Sequence, residues 1–343
     1  MQRCIELAGL GAGDVAPNPM VGSVIVYGGK IIGEGYHRKY GGSHAEVNAI
    51  NSVSDPEILK KSTLYVSLEP CAHHGLTPPC SDLIIHKEIP KVVIGTVDPF
   101  SEVAGKGIEK LRKAGIEVVP RVLEKECREL NKRFFTFHER KRPYVILKWA
   151  QTIDGFIDVE RSPESFGEPT WITGNLALQL VHKIRSEESA ILVGTNTAEK
   201  DNPSLTVRHW PGENPYRLVL DKKLRLPGSL NLFNGLEKTL VFNFRKNEEQ
   251  GPVTYVKIDP EKEMLPQIMN ELYRRNILSV IVEGGRQLLE SFFFAGCWDE
   301  AHVFIGDTCF YDGTRAPQIK GKLTASEILG NDQLKIFRNP FQK

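Results

Sequence analysis

The sequence contains no apolar run of about 18 residues, the length a helix needs to cross a bilayer, so a helical membrane protein is excluded. It also lacks a charge excess. Lys and Arg total 44 against 43 for Asp and Glu, which leaves no global field to hold a polyanion and argues against a nucleic-acid partner. Cysteine is sparse, at positions 4, 71, 80, 127, 297 and 309, too thin for a disulfide scaffold and suited to a reducing cytoplasm. The first residues, Met1-Gln2-Arg3-Cys4-Ile5-Glu6, offer no signal-peptide apolar core. The expectation is a soluble cytoplasmic protein.

What is present is enough for two cores. A chain of 343 residues sets a prior of two domains, and the basic run Arg140-Lys141-Arg142-Pro143 marks the boundary, giving 1–142 and 143–343. Within the first half the stretch from Ser43 to Cys80 concentrates the chemistry. It holds His44-Ala45-Glu46, then Glu69-Pro70-Cys71, then Cys80 after eight intervening residues. One imidazole and two thiols form a zinc ligand set that leaves a fourth tetrahedral position for water. His44 and Glu46 lie about 200° apart around a helix, so His44 is read as a ligand and Glu46 as a nearby base. Pro70 and Pro79 precede the two cysteines, and proline favours a first helical turn, so each thiol is expected near a helix N-terminus that favours thiolate. A closed structural zinc site, with His73 or His74 as fourth ligand, is the rival reading.

The rest of the chain alternates helix and strand. Residues 2–10 read as a helix, Val21 to Tyr27 and Lys30 to Tyr36 as a hairpin across Gly28-Gly29, and a helix carrying His44 and Glu46 follows. Thr63 to Leu68 and Lys91 to Val97 read as buried strands, with helices over Ser81–Lys87 and Gly105–Ala114 and one long helix over Leu123–Glu139. Such alternation predicts an α/β fold with a mostly parallel sheet, whose ligands collect at the carboxyl ends of strands. In the second half, Leu278 to Val282 is a strand and Gln287 to Phe294 a helix, so Gly284-Gly285 falls where backbone N–H groups approach a phosphate. That turn is not the Gly-x-Gly-x-x-Gly of a dinucleotide fold.

Pro70-Cys71-Ala72-His73-His74-Gly75-Leu76-Thr77-Pro78-Pro79-Cys80, with Ala16-Pro17-Asn18-Pro19 and Val21-Gly22 upstream, resembles the bifunctional deaminase/reductase family of riboflavin biosynthesis. Ala150 to Gly155, Trp171-Ile172-Thr173, Ile191 to Gly194, Asp201 to Arg208 and Val282 to Arg286 extend the likeness over nearly the whole chain. The resemblance implies a cytidine-deaminase-like three-layer domain followed by a dihydrofolate-reductase-like α/β domain. It implies Zn²⁺ and NADPH as cofactors, a phosphorylated pyrimidine as substrate, and a homo-oligomer. Asn18 would hold the pyrimidine. Ala150, Trp171, Thr197, Asp201, Gly285, Arg286 and Gln287 would contact NADPH, while Arg185, Leu205, Arg208 and Glu283 would contact the phosphoribosyl substrate. Lys148, alternating with apolar neighbours on its strand, would line that second site. The chain departs from the family at Leu76, where a cation is usual and where Lys106 or Arg38 would have to substitute. It departs again at Gln151, Thr152 and Pro169. Two further readings compete: a deaminase of nucleic-acid bases with an unrelated appendix, and a zinc-stabilised binding module without catalysis.

Overall fold

The computed structural model describes residues 1–73, 78–100, 104–162, 167 and 170–341. Leu76, His74 and Pro169 therefore lie outside the described residues. The chain divides into two compact units, Met1–Lys141 and Arg142–Lys343.

In the first unit, α1 (Gln2–Gly9) leads to the hairpin β1 (Gly22–Tyr27) and β2 (Lys30–Tyr36), turned by Gly28 and Gly29 at φ of 56° and 75°. Only glycine enters that left-handed region freely, so a two-residue turn matching the strand twist forms here. Then come α2 (Ala45–Asn51), β3 (Thr63–Leu68), α3 (Cys80–His86), β4 (Lys91–Thr96), α4 (Lys106–Lys113), β5 (Glu117–Val119), α5 (Glu124–Leu130) and α6 (Lys132–Arg140). The sheet order is β2-β1-β3-β4-β5, antiparallel at β2-β1-β3 and parallel from β3 to β5. Alternation along β1 splits its residues between two cores. Val24 packs with Cys4 and Leu7 of α1, while Ile25 joins Ala49, Ile50, Ile84 and Leu111 of α2, α3 and α4 on the other face. The result is three layers.

The single helix expected over 123–139 is broken in two. Asn131 stands at the junction with φ −101° and ψ 26°, and its buried side chain pairs with the backbone of Met20, accepting from its N–H and donating to its carbonyl at 2.8 Å each. A helical continuation would have carried that amide away from the loop it ties.

The second unit contains β6 (Tyr144–Thr152), β7 (Phe156–Asp158), α7 (Asn175–Glu187), β8 (Ala190–Gly194), α8 (Thr195–Asp201), β9 (Tyr216–Leu220), β10 (Thr239–Asn243), β11 (Glu248–Gln250), β12 (Val253–Lys257) and α9 (Met264–Arg274). After these follow β13 (Ser279–Glu283), α10 (Arg286–Phe294), β14 (Glu300–Gly306), β15 (Thr314–Arg315), β16 (Lys322–Leu329) and β17 (Asp332–Arg338). Ten strands form one sheet in the order β11-β12-β10-β9-β8-β13-β6-β14-β17-β16. The seven from β12 to β14 run parallel, and antiparallel strands finish both edges. One face buries Val145, Leu147 and Trp149 against α9 and α10; the other lays Ala150 and Phe304 against Ala177 and Val181 of α7. No helix among the described residues is long and apolar enough to cross a membrane.

Candidate functional site

In the first unit the carboxyl end of β3 and the start of two helices bring the predicted ligands together. His44 is the N-cap of α2 with extended backbone (ψ 163°), not a helical residue as expected, and this swings its ring over the residues that follow β3. Its Nδ1 lies 3.3 Å from Cys80 Sγ and 3.6 Å from Cys71 Sγ, and the three donor atoms fall within 4.8 Å of one another. Cys80 opens α3 behind Pro79, as its proline foretold. Cys71 does not begin a helix: it sits in coil after β3, and its Sγ instead accepts the Cys80 N–H at 3.2 Å, so one helix terminus serves both sulfurs. The side-chain interaction between the two sulfurs pulls the Cys71 thiol down to about 4, and the same interaction, with burial, pushes Cys80 up. Hydrogen bonding to Cys71 raises His44.

Glu46, in the first turn of α2, is only 3% exposed and faces the sulfurs, within hydrogen-bond reach of Cys80. Burial first, then the Cys71 charge, raises its carboxyl to about 7, where it can both take and return a proton at neutral pH. Asn18 enters from the loop before β1. Its Nδ2 donates to Nε2 of buried His37 at 3.1 Å, and His37 Nδ1 donates to the Ser43 carbonyl at 3.0 Å. That second bond fixes the tautomer and with it the orientation of the Asn18 amide.

The motif quoted as Glu-Pro-Cys hides a structural device. The Glu69 carboxylate, 4% exposed, accepts four backbone N–H bonds: Asp98 and Gly105 on Oε2, Gly107 and Ile108 on Oε1, at 2.9–3.3 Å. It thereby caps α4 and holds the turn leading to Cys71. Gly107 comes so near that a Cβ there would meet the Pro70 carbonyl at 2.0 Å. Asp98, raised to about 6 by burial and by the charge of Glu69, receives the Phe100 N–H at 2.8 Å. Lys106 is exposed at the start of α4, and Arg38, also exposed, lies over the Tyr36 ring.

In the second unit, adjacent parallel strands β8 and β13 end side by side, and the turn after β13 is tied to α8 by the Gly285 N–H donating to Thr197 Oγ1 at 3.0 Å. Gly285 is the N-cap of α10. Arg286 and Gln287 begin that helix on its exposed side, where the Arg286 guanidinium is bound to Glu290. Asp201 closes α8 and receives Arg161 at 2.6 Å; Arg161 also bonds Asp158. Trp171 is exposed, and Ala150 is half-buried on β6.

At the end of β13, Glu283 meets Arg185 of α7 in a two-pronged pair (2.7 and 3.0 Å), with Lys148 Nζ 3.9 Å away. Burial alone would raise Glu283, yet the charges of Arg185 and Lys148 override it and hold the carboxyl at about 2. The Arg185 fork is thus already engaged, its third nitrogen reaching the Thr206 carbonyl at 3.4 Å. Leu205 is buried with φ of 54°, while Arg208 is exposed. Two departures noted in the sequence have local work: Gln151 accepts from the Trp149 indole, and Thr152 binds Asp154 and the Phe156 N–H. Asp154 in turn pins the backbone of Phe310 and Tyr311.

Residues 1–96 match the family model of the cytidine and deoxycytidylate deaminase zinc-binding region, and residues 143–327 match that of the RibD C-terminal domain. The riboflavin biosynthesis protein RibD of Aquifex aeolicus is 42% identical over 318 residues, covering 91% of this chain and 87% of its own. The chain belongs to the RibD family. RibD of Synechocystis is 41% identical over 94% of this chain and 87% of its own. The crystal structure of a diaminohydroxyphosphoribosylaminopyrimidine deaminase/5-amino-6-(5-phosphoribosylamino)uracil reductase from Thermotoga maritima is 41% identical. It covers 99% of this chain and 97% of that one, with a TM-score of 0.89. Like its relatives, the chain is a bifunctional enzyme of riboflavin biosynthesis, a zinc-dependent deaminase joined to an NADPH-dependent reductase. Its two α/β domains are cytidine-deaminase-like and dihydrofolate-reductase-like.

His37, Glu69, Asn131, Arg161 and His182 escaped the sequence reading. Their partners lie from 3 residues (Arg161 to Asp158) to 111 residues (Asn131 to Met20) along the chain, and apart from that first pair no local pattern signals them. Only the glutamate directly before Pro70-Cys71 offered a hint.

Proposed function

We propose that residues 1–142 deaminate 2,5-diamino-6-ribosylamino-pyrimidin-4-one 5'-phosphate and that residues 143–343 then reduce its ribosyl side chain to ribityl. The observation that carries the first step is the convergence of one imidazole and two sulfurs beside a buried, proton-exchanging carboxyl. The donor set fits zinc: tetrahedral bonds of about 2.0–2.3 Å place donors roughly 3.5 Å apart, close to the His44–Cys71 and His44–Cys80 separations of 3.6 and 3.3 Å. Zinc held by His44, Cys71 and Cys80 supplies a Lewis acid that activates water near neutral pH. Glu46 takes the proton of the attacking water and returns it to the departing amine, so that oxygen replaces nitrogen on the ring and ammonia leaves. Asn18, its NH₂ held by His37, offers its amide oxygen to the pyrimidine.

For the second step, NADPH supplies the hydride. The α10 N-terminus at Gly285, with Arg286, Gln287, Thr197, Asp201, Ala150 and Trp171, forms the cofactor's seat, in keeping with the place of Gly285 at the carboxyl end of a parallel strand. The exposed Arg208 takes the substrate phosphate, and Arg185, Glu283 and Leu205 shape the wall beside it, with Lys148 behind. Six free cysteines support cytoplasmic residence, and homo-oligomeric assembly completes the reading. Incubation with the diaminopyrimidine phosphate, with and without NADPH, tests both steps. Ammonia should appear in either case and NADPH oxidation only after it; NADPH oxidation without ammonia would overturn the order.

A further inference from the structure

His182 is fully buried on α7, one turn before Arg185. Its Nδ1 accepts the Arg208 backbone N–H at 3.0 Å, so the ring proton resides on Nε2, which has no hydrogen-bond partner among the described residues. The His209 ring packs edge-on at 4.8 Å, holding the imidazole in place. Burial, then the charges of Arg185 and Arg208, lowers His182 to about 4, so it stays neutral at physiological pH and adds no third positive charge. The neighbouring backbone is fastened in the same way. The Val207 N–H donates to Asn214 at 2.7 Å, and Leu205 turns the chain in the left-handed region.

Resting on the reading that Arg208 takes the substrate phosphate, we infer that His182 is a positioning residue which, through Nδ1, fixes the main chain of Arg208 and so sets affinity for the phosphorylated sugar. A buried imidazole with its only partnered nitrogen on one backbone amide transmits position, not charge. An Asn side chain places its oxygen where Nδ1 stands, whereas Gln reaches the Nε2 position and Phe keeps the ring without an acceptor.

The test uses the full-length zinc-loaded protein, NADPH, and the deaminated substrate with and without its phosphate. For His182→Phe, KM for the phosphorylated substrate should rise about tenfold, the effect of one lost hydrogen bond of about 1.4 kcal/mol, with kcat within about twofold. The dephosphorylated substrate should be unaffected, and His182→Asn should recover KM to within about threefold. Combining His182→Phe with Arg208→Ala should add nothing to Arg208→Ala alone. Equal losses on both substrates, or no difference between His182→Asn and His182→Gln, overturn the inference. Should His182→Phe fail to fold, that Asn-against-Gln comparison decides. If Arg208→Ala shows no preference between the two substrates, the phosphate reading itself fails; if it does and His182→Phe does not, only the role of His182 fails.

Discussion

Replacing Glu69 by glutamine removes one acceptor oxygen and sets an NH₂ group against two backbone donors. The geometry decides which two. Gly107 and Ile108 share Oε1 in a buried setting, whereas Asp98 and Gly105 share Oε2 where the site is less closed. The amide should therefore keep its oxygen on the α4 pair and abandon the other. Each stranded donor costs about 1–3 kcal/mol, and the charge-assisted component of the two surviving bonds weakens, so the first unit should lose roughly 2–6 kcal/mol. Because Glu69 lies two residues before Cys71, the loosened turn should also lower zinc affinity about tenfold, in the range seen when groups supporting metal ligands are removed. All four tryptophans lie in the second unit, so tryptophan fluorescence follows that unit's unfolding in urea while far-ultraviolet dichroism reports both. The dichroism transition not matched by fluorescence should move, with the fluorescence transition as internal control, and chelator competition gives the metal affinity. A shift under about 0.5 kcal/mol with unchanged zinc affinity would refute the clamp.

Glu46→Gln should abolish ammonia release while about one zinc per chain is retained; surviving deamination would remove the carboxyl from the proton path. Cys80→Ser should cost most of the bound metal at neutral pH, and undiminished zinc content would disqualify that sulfur as a ligand. Glu283 is held at about 2 in the fold against about 4.3 in an unfolded chain, a depressed carboxyl. Its stabilisation is complete above about pH 4.3 and drains away as pH falls toward 2. The second unit's melting temperature should fall across that window, and more gently in Glu283→Gln; identical slopes would contradict the assignment.

Much of this was readable from residue order. The hairpin at Gly28-Gly29 and the helix opening at Cys80 follow from turn chemistry and periodicity, which are local. That His44, Cys71 and Cys80 would converge was readable because zinc demands particular residue types, and these stand at suitable spacing. His44 as an N-cap was not, since two residues of spacing are compatible with either side of a helix start. The break at Asn131 was invisible because a charged, amphipathic stretch carries no sign of a distant backbone amide. Likewise the resemblance set Arg185 and Glu283 against the phosphoribosyl substrate, and their pairing with each other, 98 residues apart, became apparent only when β13 and α7 met.

The clasp between Asn131 and Met20 bears on how far this catalytic module can be trimmed. The recognisable deaminase signature stops at residue 96, but the loop that presents Asn18 is fastened by an amide 35 positions beyond it. A fragment cut at the signature's edge would keep His44, Cys71 and Cys80 and release the strap that carries Asn18. The folded module is therefore longer than the pattern by which it is found.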